Sequence, residues 1–194
     1  MIALALIALA TLAANGARKL RQIAIAVAAV TIIATVIGAP VATLSESAVT
    51  GCAGLVAAGI LFIAARDRGY GEDPGWRLWA ATFIAAIVTP VAYASFRTIG
   101  GEAGPIAPFD GPSGVTIEVA GIWLISSGTA ILLTARTAIR ASLASLLMIN
   151  GVQLLVRLTP DARLGSTLLL AWLELVIALA GAFLVVNERA VREG

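Results

Sequence analysis

One acidic residue in an apolar segment is the clearest candidate for chemistry in this sequence. Glu174 stands near the middle of a predicted membrane-spanning helix, in the run Leu-Ala-Trp-Leu-Glu-Leu-Val-Ile. On insertion scales, an acid at the centre of a bilayer costs about 2.5–3.5 kcal/mol, so it is expected to be paired, protonated or used. Two interpretations stay open. Glu174 relays protons or ions, or it is a neutral residue that only hydrogen-bonds to a neighbouring helix.

A polar face on the preceding helix is the expected partner of this acid. At about 100° per residue, five polar residues share one side of that helix: Ser142, Ser145, Asn150, Gln153 and Arg157. Asn150 is predicted to lie at the depth of Glu174, with Gln153 and Arg157 continuing toward the outer surface. This face is either a polar path that ends in a basic gate or a set of interhelical hydrogen bonds, each worth about 0.6 kcal/mol.

Other polar residues are expected to have local structural roles. Glu118 and Glu46 stand at predicted helix starts, where an acid interacts favourably with the helix dipole. Thr31 can bond to the backbone of its own helix and needs no function, and Trp172 is expected to pack at a subunit contact beside Glu174.

The residues needed for most enzyme sites are missing from the sequence. It has no histidine and one cysteine, Cys52, which excludes a histidine-based catalytic triad, an axial histidine ligand to haem and a disulfide framework. The glycines at 100, 101, 104 and 111 are scattered among prolines and indicate turns, not a phosphate-binding loop. The sequence therefore predicts a protein that is not itself an enzyme and binds no metal or cofactor.

The composition identifies the broad class of protein. The 194 residues are 60% hydrophobic and 12% charged, whereas soluble domains are about 45–50% apolar and about 25% charged. So few charges cannot cover a surface that faces water. The sequence predicts an all-α, polytopic transmembrane helix bundle.

Charge and turn clusters divide the chain into seven predicted spans, each close to the length of about 20 residues that crosses a bilayer. They cover residues 2–16, 22–39, 47–65, 76–97, 115–135, 139–157 and 164–187. The first span is interpreted as a retained membrane helix, because positive charge follows it instead of preceding it.

The distribution of basic residues predicts the orientation. The loops on one side, with the C-terminal tail, hold ten of the 13 Lys and Arg residues, and the opposite loops hold three. Because basic loops stay in the cytoplasm, the N-terminus is predicted outside and the C-terminus inside. The three are Arg97, Arg157 and Arg163; the ten are Arg18, Lys19, Arg21, Arg66, Arg68, Arg77, Arg136, Arg140, Arg189 and Arg192. This charge is assigned to cytoplasmic flanks, and no nucleic-acid partner is predicted.

The chain is predicted to form a single membrane domain, residues 1–194, with a weak internal repeat. Residues 1–66 and 115–189 each contain a span, a basic hinge, a span that ends at a proline (Pro40 or Pro160) and a third span. They suggest two parallel three-helix units, linked by the helix at 76–97.

The stretch from Arg136 to Arg189 resembles the C-terminal part of hydrogenase-4 component E, which contains a unit similar to the K subunit of respiratory complex I. The matching residues are the basic hinge, the segment Leu147-Met148-Ile149-Asn150-Gly151 and the later acid Glu174. The family has Leu-Met-Glu-Asn-Gly at that segment. The region from Arg18 to Arg66 also looks like the family's early helices.

The resemblance implies a proton-conducting membrane module, from which this chain departs at two positions. The family's glutamate falls on Ile149, and a lysine of its third helix falls on Ala53. Glu174 could still act with Asn150 and water, or the chain could be a scaffold that has kept the fold.

The sequence leaves three functions open. The first is a non-catalytic subunit of an energy-converting complex of the complex I, membrane-bound hydrogenase or Mrp type, in the inner membrane of the cell. Its partners would be lipid and other integral membrane subunits, an antiporter-like one among them. The second is a self-contained small transporter or channel, which needs a central cavity. The third is a structural accessory subunit of a photosynthetic or respiratory complex.

Overall fold

The computed structural model describes residues 2–17, 19–65, 75–102, 111–159 and 164–193. Within these ranges the regular structure is entirely α-helical, which confirms the predicted all-α, polytopic bundle. The seven helices are α1 (Ile2–Gly16), α2 (Leu20–Gly38), α3 (Leu44–Ala64), α4 (Gly75–Glu102), α5 (Pro112–Thr134), α6 (Ala138–Val156) and α7 (Leu164–Glu193).

Six of these helices, α2 to α7, are long and apolar enough to cross a membrane. Helix α1 has 15 residues, which at about 1.5 Å per residue gives about 22 Å, less than the hydrocarbon thickness of about 30 Å. The prediction of seven crossings, with the N-terminus outside and the C-terminus inside, depends on α1 and stays a prediction. Four basic residues on which it rests lie outside the described residues: Arg18, Arg66, Arg68 and Arg163.

The start of α3 shows how local sequence fixes a helix end. The Thr43 side-chain oxygen accepts a hydrogen bond from the Glu46 backbone N–H at 3.3 Å, and the Glu46 carboxylate accepts one from the Thr43 backbone N–H at 2.8 Å. This reciprocal pair satisfies two backbone donors that the first turn leaves free. The capping role expected for Glu46 is confirmed.

Helix α6 lies at the centre of the bundle. It packs against α2, α5 and α7, and 67% of its span is buried, against 17% for the span of α4. Packing also joins α1 to α5, α2 to α6 and α3 to α7, which are the helices at matching positions of the two predicted units. The division into units 1–66 and 115–189 with a linking helix at 76–97 stays a prediction, and Arg66 and Pro160, which mark it, lie outside the described residues.

Three glycines let α5 and α6 approach each other closely. A Cβ atom on Gly128 would lie 2.6 Å from the Ala144 carbonyl oxygen, and one on Gly151 would lie 2.6 Å from the Gly121 carbonyl oxygen. No side chain fits at such distances from a backbone atom. The contact holds α6 in place and thereby fixes the position of its polar face.

Candidate functional site

The carboxylate of Glu174 is enclosed within the bundle and bound by two amides of α6. Glu174 has none of its surface exposed. Asn150 Nδ2 donates to its Oε1 at 3.1 Å, and Gln153 Nε2 donates to its Oε2 at 3.2 Å. The structure thus brings the acid together with Asn150, which the sequence placed at its depth, and with Gln153, which the sequence placed on the same face nearer the outer surface. In the part of the chain that the structure describes, no basic side chain forms an ion pair with Glu174.

The orientation of the Asn150 amide follows from its second hydrogen bond. The same Nδ2 donates to the Leu146 carbonyl oxygen at 2.9 Å, and a carbonyl oxygen can only accept. The atom between Leu146 and Glu174 must therefore be the nitrogen. Asn150 presents an N–H group to the carboxylate, which stabilises negative charge there.

Arg157 lies at the end of α6 and extends the polar face toward the start of α3. Its Nη2 donates to Thr50 Oγ1 at 2.8 Å, and its guanidinium lies against Gly38, where a Cβ atom would collide with Nη1. Arg157 is buried, and Nη1 has no hydrogen-bond partner among the described residues. The Glu46 carboxylate is close enough to interact with it electrostatically. We call this end of the bundle the Arg157 end.

Helices α2 and α3 close the other side of the carboxylate through Thr31 and Gly54. The position of a Cβ atom on Gly54 lies 3.0 Å from Glu174 Oε1 and 2.8 Å from Thr31 Oγ1, and it overlaps the Thr31 methyl group. Thr31 is fully buried, and its hydroxyl has no hydrogen-bond partner among the described residues. Thr31 does not make the bond to its own helix backbone that the sequence allows, and its hydroxyl lies in the contact between α2, α3 and α7.

Two serines of the predicted face do not reach the acid. Ser142 Oγ donates to the Ala138 carbonyl oxygen at 2.8 Å, and Ser145 Oγ donates to the Ala141 carbonyl oxygen at 3.0 Å. Ser142 lies against Gly181, about two turns along α7 from Glu174. The opposite end of the bundle lies beyond Ser142 and Gly181. There the Glu188 carboxylate accepts a hydrogen bond from the Ala138 backbone N–H at 3.3 Å, and we call this end of the bundle the Glu188 end.

Glu118 is a second buried acid, and its place in the sequence predicted a helix cap. It stands in the second turn of α5, too far from the helix start to cap it, and none of its surface is exposed. Its Oε2 lies 3.7 Å from Arg97 Nη1, and neither carboxylate oxygen has a hydrogen-bond partner among the described residues. The capping prediction was therefore wrong, and only the position of α4 beside α5 could have revealed the ion pair.

Two further residues lie apart from the site. Arg140 is buried and donates to the Asn15 and Ala17 carbonyl oxygens at 2.9 and 3.0 Å, which stabilises the C-terminal end of α1. Trp172 has 65% of its surface exposed and faces outward from the bundle.

Among the described residues no three His, Cys, Asp or Glu side chains lie together in a way that could hold a metal ion.

Comparison with known proteins finds no matching family model, no matching curated protein and no matching solved structure. The resemblance to hydrogenase-4 component E therefore stays an expectation from the sequence. The six long apolar helices show an integral, multi-pass membrane protein.

Proposed function

We propose that this protein is a non-catalytic membrane subunit of a larger energy-converting complex, in which Glu174 takes up and releases a proton or a cation. The observation that carries the proposal is the state of the Glu174 carboxylate. It is fully buried inside a membrane bundle and held by two neutral amides, and no ion pair with it occurs in the described part of the chain. A buried acid of this kind is a functional candidate by default.

The outer surface of the bundle supports a role within an assembly. Only 17% of the α4 span and 28% of the α7 span are buried within the chain. Large apolar side chains such as Phe83 and Phe183 are mostly exposed on these helices. Lipid or neighbouring subunits must cover them, and an antiporter-like subunit in the inner membrane is the partner that the family resemblance suggests.

The structural accessory role is the second candidate, and the same hydrogen bonds favour it. Asn150 and Gln153 satisfy one lone pair on each Glu174 oxygen, which is also what a purely structural polar contact would need. A self-contained transporter needs a cavity around its polar groups. The small cleft lined by Thr11, Asn15 and Ser127 lies between α1, α4 and α5, away from Glu174.

Isolation of the full chain from its native membrane tests the proposal. We expect it to co-purify in mild detergent with larger integral membrane subunits. In membrane vesicles, Glu174→Gln should abolish or strongly reduce ion translocation by the assembled complex, because glutamine cannot bind and release a proton. Glu188→Gln, the same change about four turns further along α7, is the matched control and should leave translocation intact.

Two outcomes would contradict the proposal. Purification of the chain alone from native membranes would remove the subunit assignment. Normal translocation by a fully assembled Glu174→Gln complex would remove the relay role and leave the accessory role.

A further inference from the structure

The polar groups around Glu174 extend toward one end of the bundle. Gln153 lies one turn before Arg157 on the same face of α6, and Arg157 is bonded to Thr50 at 2.8 Å. Thr50 Oγ1 in turn donates to the carbonyl oxygen of Glu46, in the capped first turn of α3, at 2.8 Å. This series runs from the enclosed carboxylate to the helix start at the Arg157 end, and its one step without a direct hydrogen bond among the described residues lies between Gln153 and Arg157.

Two atoms along this series, Gln153 Oε1 and Arg157 Nη1, are buried and have no hydrogen-bond partner among the described residues, and the same holds for Thr31 Oγ1 beside Glu174. Such groups in protein interiors are normally satisfied by protein or ordered water. We therefore expect water to reach this side of Glu174.

The packing on the other side of Glu174 is apolar for about two turns. Toward the Glu188 end, α7 presents Ala178, α6 presents Leu143 and Leu146, and α3 presents Ala58 and Leu61, all of them buried. The next hydroxyls of α6 in that direction belong to Ser145 and Ser142, and each donates to a carbonyl oxygen of its own helix. Seven residues of α7 separate Glu174 from Gly181 at that level, a rise of about 10 Å. The side chains named for this layer are apolar, and the two serine hydroxyls of α6 are held by their own helix.

The groups around the carboxylate suit a proton better than a metal ion. The Asn150 amide is fixed with its N–H toward Glu174 by the bond to Leu146, and an N–H group cannot ligate a cation. Thr31 and Gly54 leave less room than a methyl group needs beside Oε1. A protonated carboxyl, in contrast, needs only one acceptor, and Gln153 Oε1 and Thr31 Oγ1 are buried acceptors without a partner among the described residues.

From this asymmetry we infer that Glu174 exchanges protons, and not metal cations, with the aqueous phase at the Arg157 end alone. The inference rests on the proposed function and names its ion and its direction. The carboxylate takes one proton from water and returns it to water, without oxidation or reduction. The charged groups that border the route are Arg157 on α6 and Glu46 on α3.

Cysteine accessibility in native membranes tests the direction. Thr50 and Ala58 stand four residues on either side of Gly54 on α3, and their exposed fractions are 3% and 4%. In a Cys52→Ala background, Thr50→Cys should be modified to completion by hydroxyethyl methanethiosulfonate, which reacts with thiols that water can reach. Ala58→Cys should show no modification. Modification of Ala58→Cys, or none of Thr50→Cys, would overturn the one-sided route.

Carbodiimide labelling tests the choice of ion. Dicyclohexylcarbodiimide reacts with protonated carboxyls in apolar surroundings, and mass spectrometry can locate the adduct on Glu174. We expect labelling to fall as the pH is raised and to be the same in sodium, potassium and choline chloride at equal ionic strength. Protection by sodium or potassium, relative to choline, would overturn the proton assignment.

The outcomes of the cysteine and carbodiimide experiments are independent of the test of the proposed function. Both measure Glu174 or its surroundings without any translocation assay. Normal translocation by Glu174→Gln would therefore refute the relay role while leaving the measured access and ion preference as they stand. Glu174→Gln should abolish the carbodiimide adduct at position 174, and Glu118→Gln should leave it unchanged, which controls for the other buried acid.

Discussion

At the scale of single residues, the Glu174 site depends on hydrogen-bond donors held by a neighbouring helix. Asn150 gives one N–H to the carboxylate and one to its own helix, so the donor cannot turn away without losing a second bond. A buried carboxylate that loses such a donor is left partly unsatisfied, at a cost of about 1–3 kcal/mol or more. The amide and the acid should therefore behave as one energetic unit.

Replacement of both partners tests this coupling. We expect Asn150→Leu to lower the free energy of unfolding by about 1–3 kcal/mol, because Glu174 loses a donor. The double variant with Glu174→Leu should be destabilised by less than the sum of the single changes, with a coupling of about 0.5–3 kcal/mol. Unfolding of the purified chain in mild detergent measures both quantities. Asn187→Leu, at an exposed position of α7, is the control, and strictly additive effects would refute the coupling.

The residue scale also shows what sequence could predict about the site. Depth within the spans and the polar face of α6 were enough to group Glu174 with Asn150 and Gln153. Thr31 and Gly54 were not recognised, because their role depends on α2 and α3 lying beside α7. Glu118 was misassigned for a similar reason, since its partner Arg97 belongs to another helix.

At the scale of helices, the contact between α5 and α6 positions the polar face. Gly128 and Gly151 allow backbone-to-backbone approach that no other residue permits. In membranes, where no hydrophobic force drives helices together, close packing of small residues is a main source of association. The glycines of this contact therefore bear on the site although they do not touch Glu174.

Alanine substitution separates packing from helix propensity. Gly128→Ala should destabilise the protein by about 1–3 kcal/mol, because its Cβ would press on the Ala144 carbonyl oxygen and on Met148. Gly59→Ala, at a position where nothing lies within 4 Å, should be neutral or stabilising by up to about 1 kcal/mol through helix propensity. Thermal unfolding in detergent gives the comparison. Equal effects at the two positions would contradict the packing argument.

Helix positions were largely predictable, and the main errors lie at two ends. The spans predicted at 76–97 and 164–187 correspond to α4 (Gly75–Glu102) and α7 (Leu164–Glu193), which run further. Hydropathy detects the apolar length that lipid requires, whereas helical hydrogen bonding continues into polar residues beyond it. The other helices begin and end within about three residues of the predictions, inside the expected error.

At the scale of the whole molecule, the orientation depends on whether α1 crosses the membrane. Arg140, near the start of α6, donates to the carbonyl oxygens of Asn15 in the last turn of α1 and of Ala17 just after it, so α1 ends at the Glu188 end of the bundle. If α1 spans the bilayer, the N-terminus lies at the Arg157 end. Because α1 has only 15 residues, topology mapping is needed to decide whether the N-terminus lies at the Arg157 end or at the Glu188 end.

Labelling of single cysteines and of an N-terminal epitope from each side of the membrane shows whether α1 crosses the bilayer. In a Cys52→Ala background, Ser45→Cys and Asn187→Cys mark the Arg157 and Glu188 ends, and both positions are exposed. We expect an impermeant thiol reagent to label Ser45→Cys from outside and Asn187→Cys from inside. An N-terminal epitope should be accessible on the side of Ser45. An epitope on the side of Asn187 would instead establish six crossings.

The protonation state of Glu174 within the folded bundle is the most direct test of its function. Infrared difference spectra of the full-length protein, recorded across the pH range in which it stays folded, follow the carboxyl C=O stretch. A band that disappears as the pH rises, and that is absent from Glu174→Gln but retained in Glu118→Gln, is the predicted result. Spectra in which Glu174→Gln removes no pH-dependent carboxyl band would contradict a proton-exchanging acid at this position.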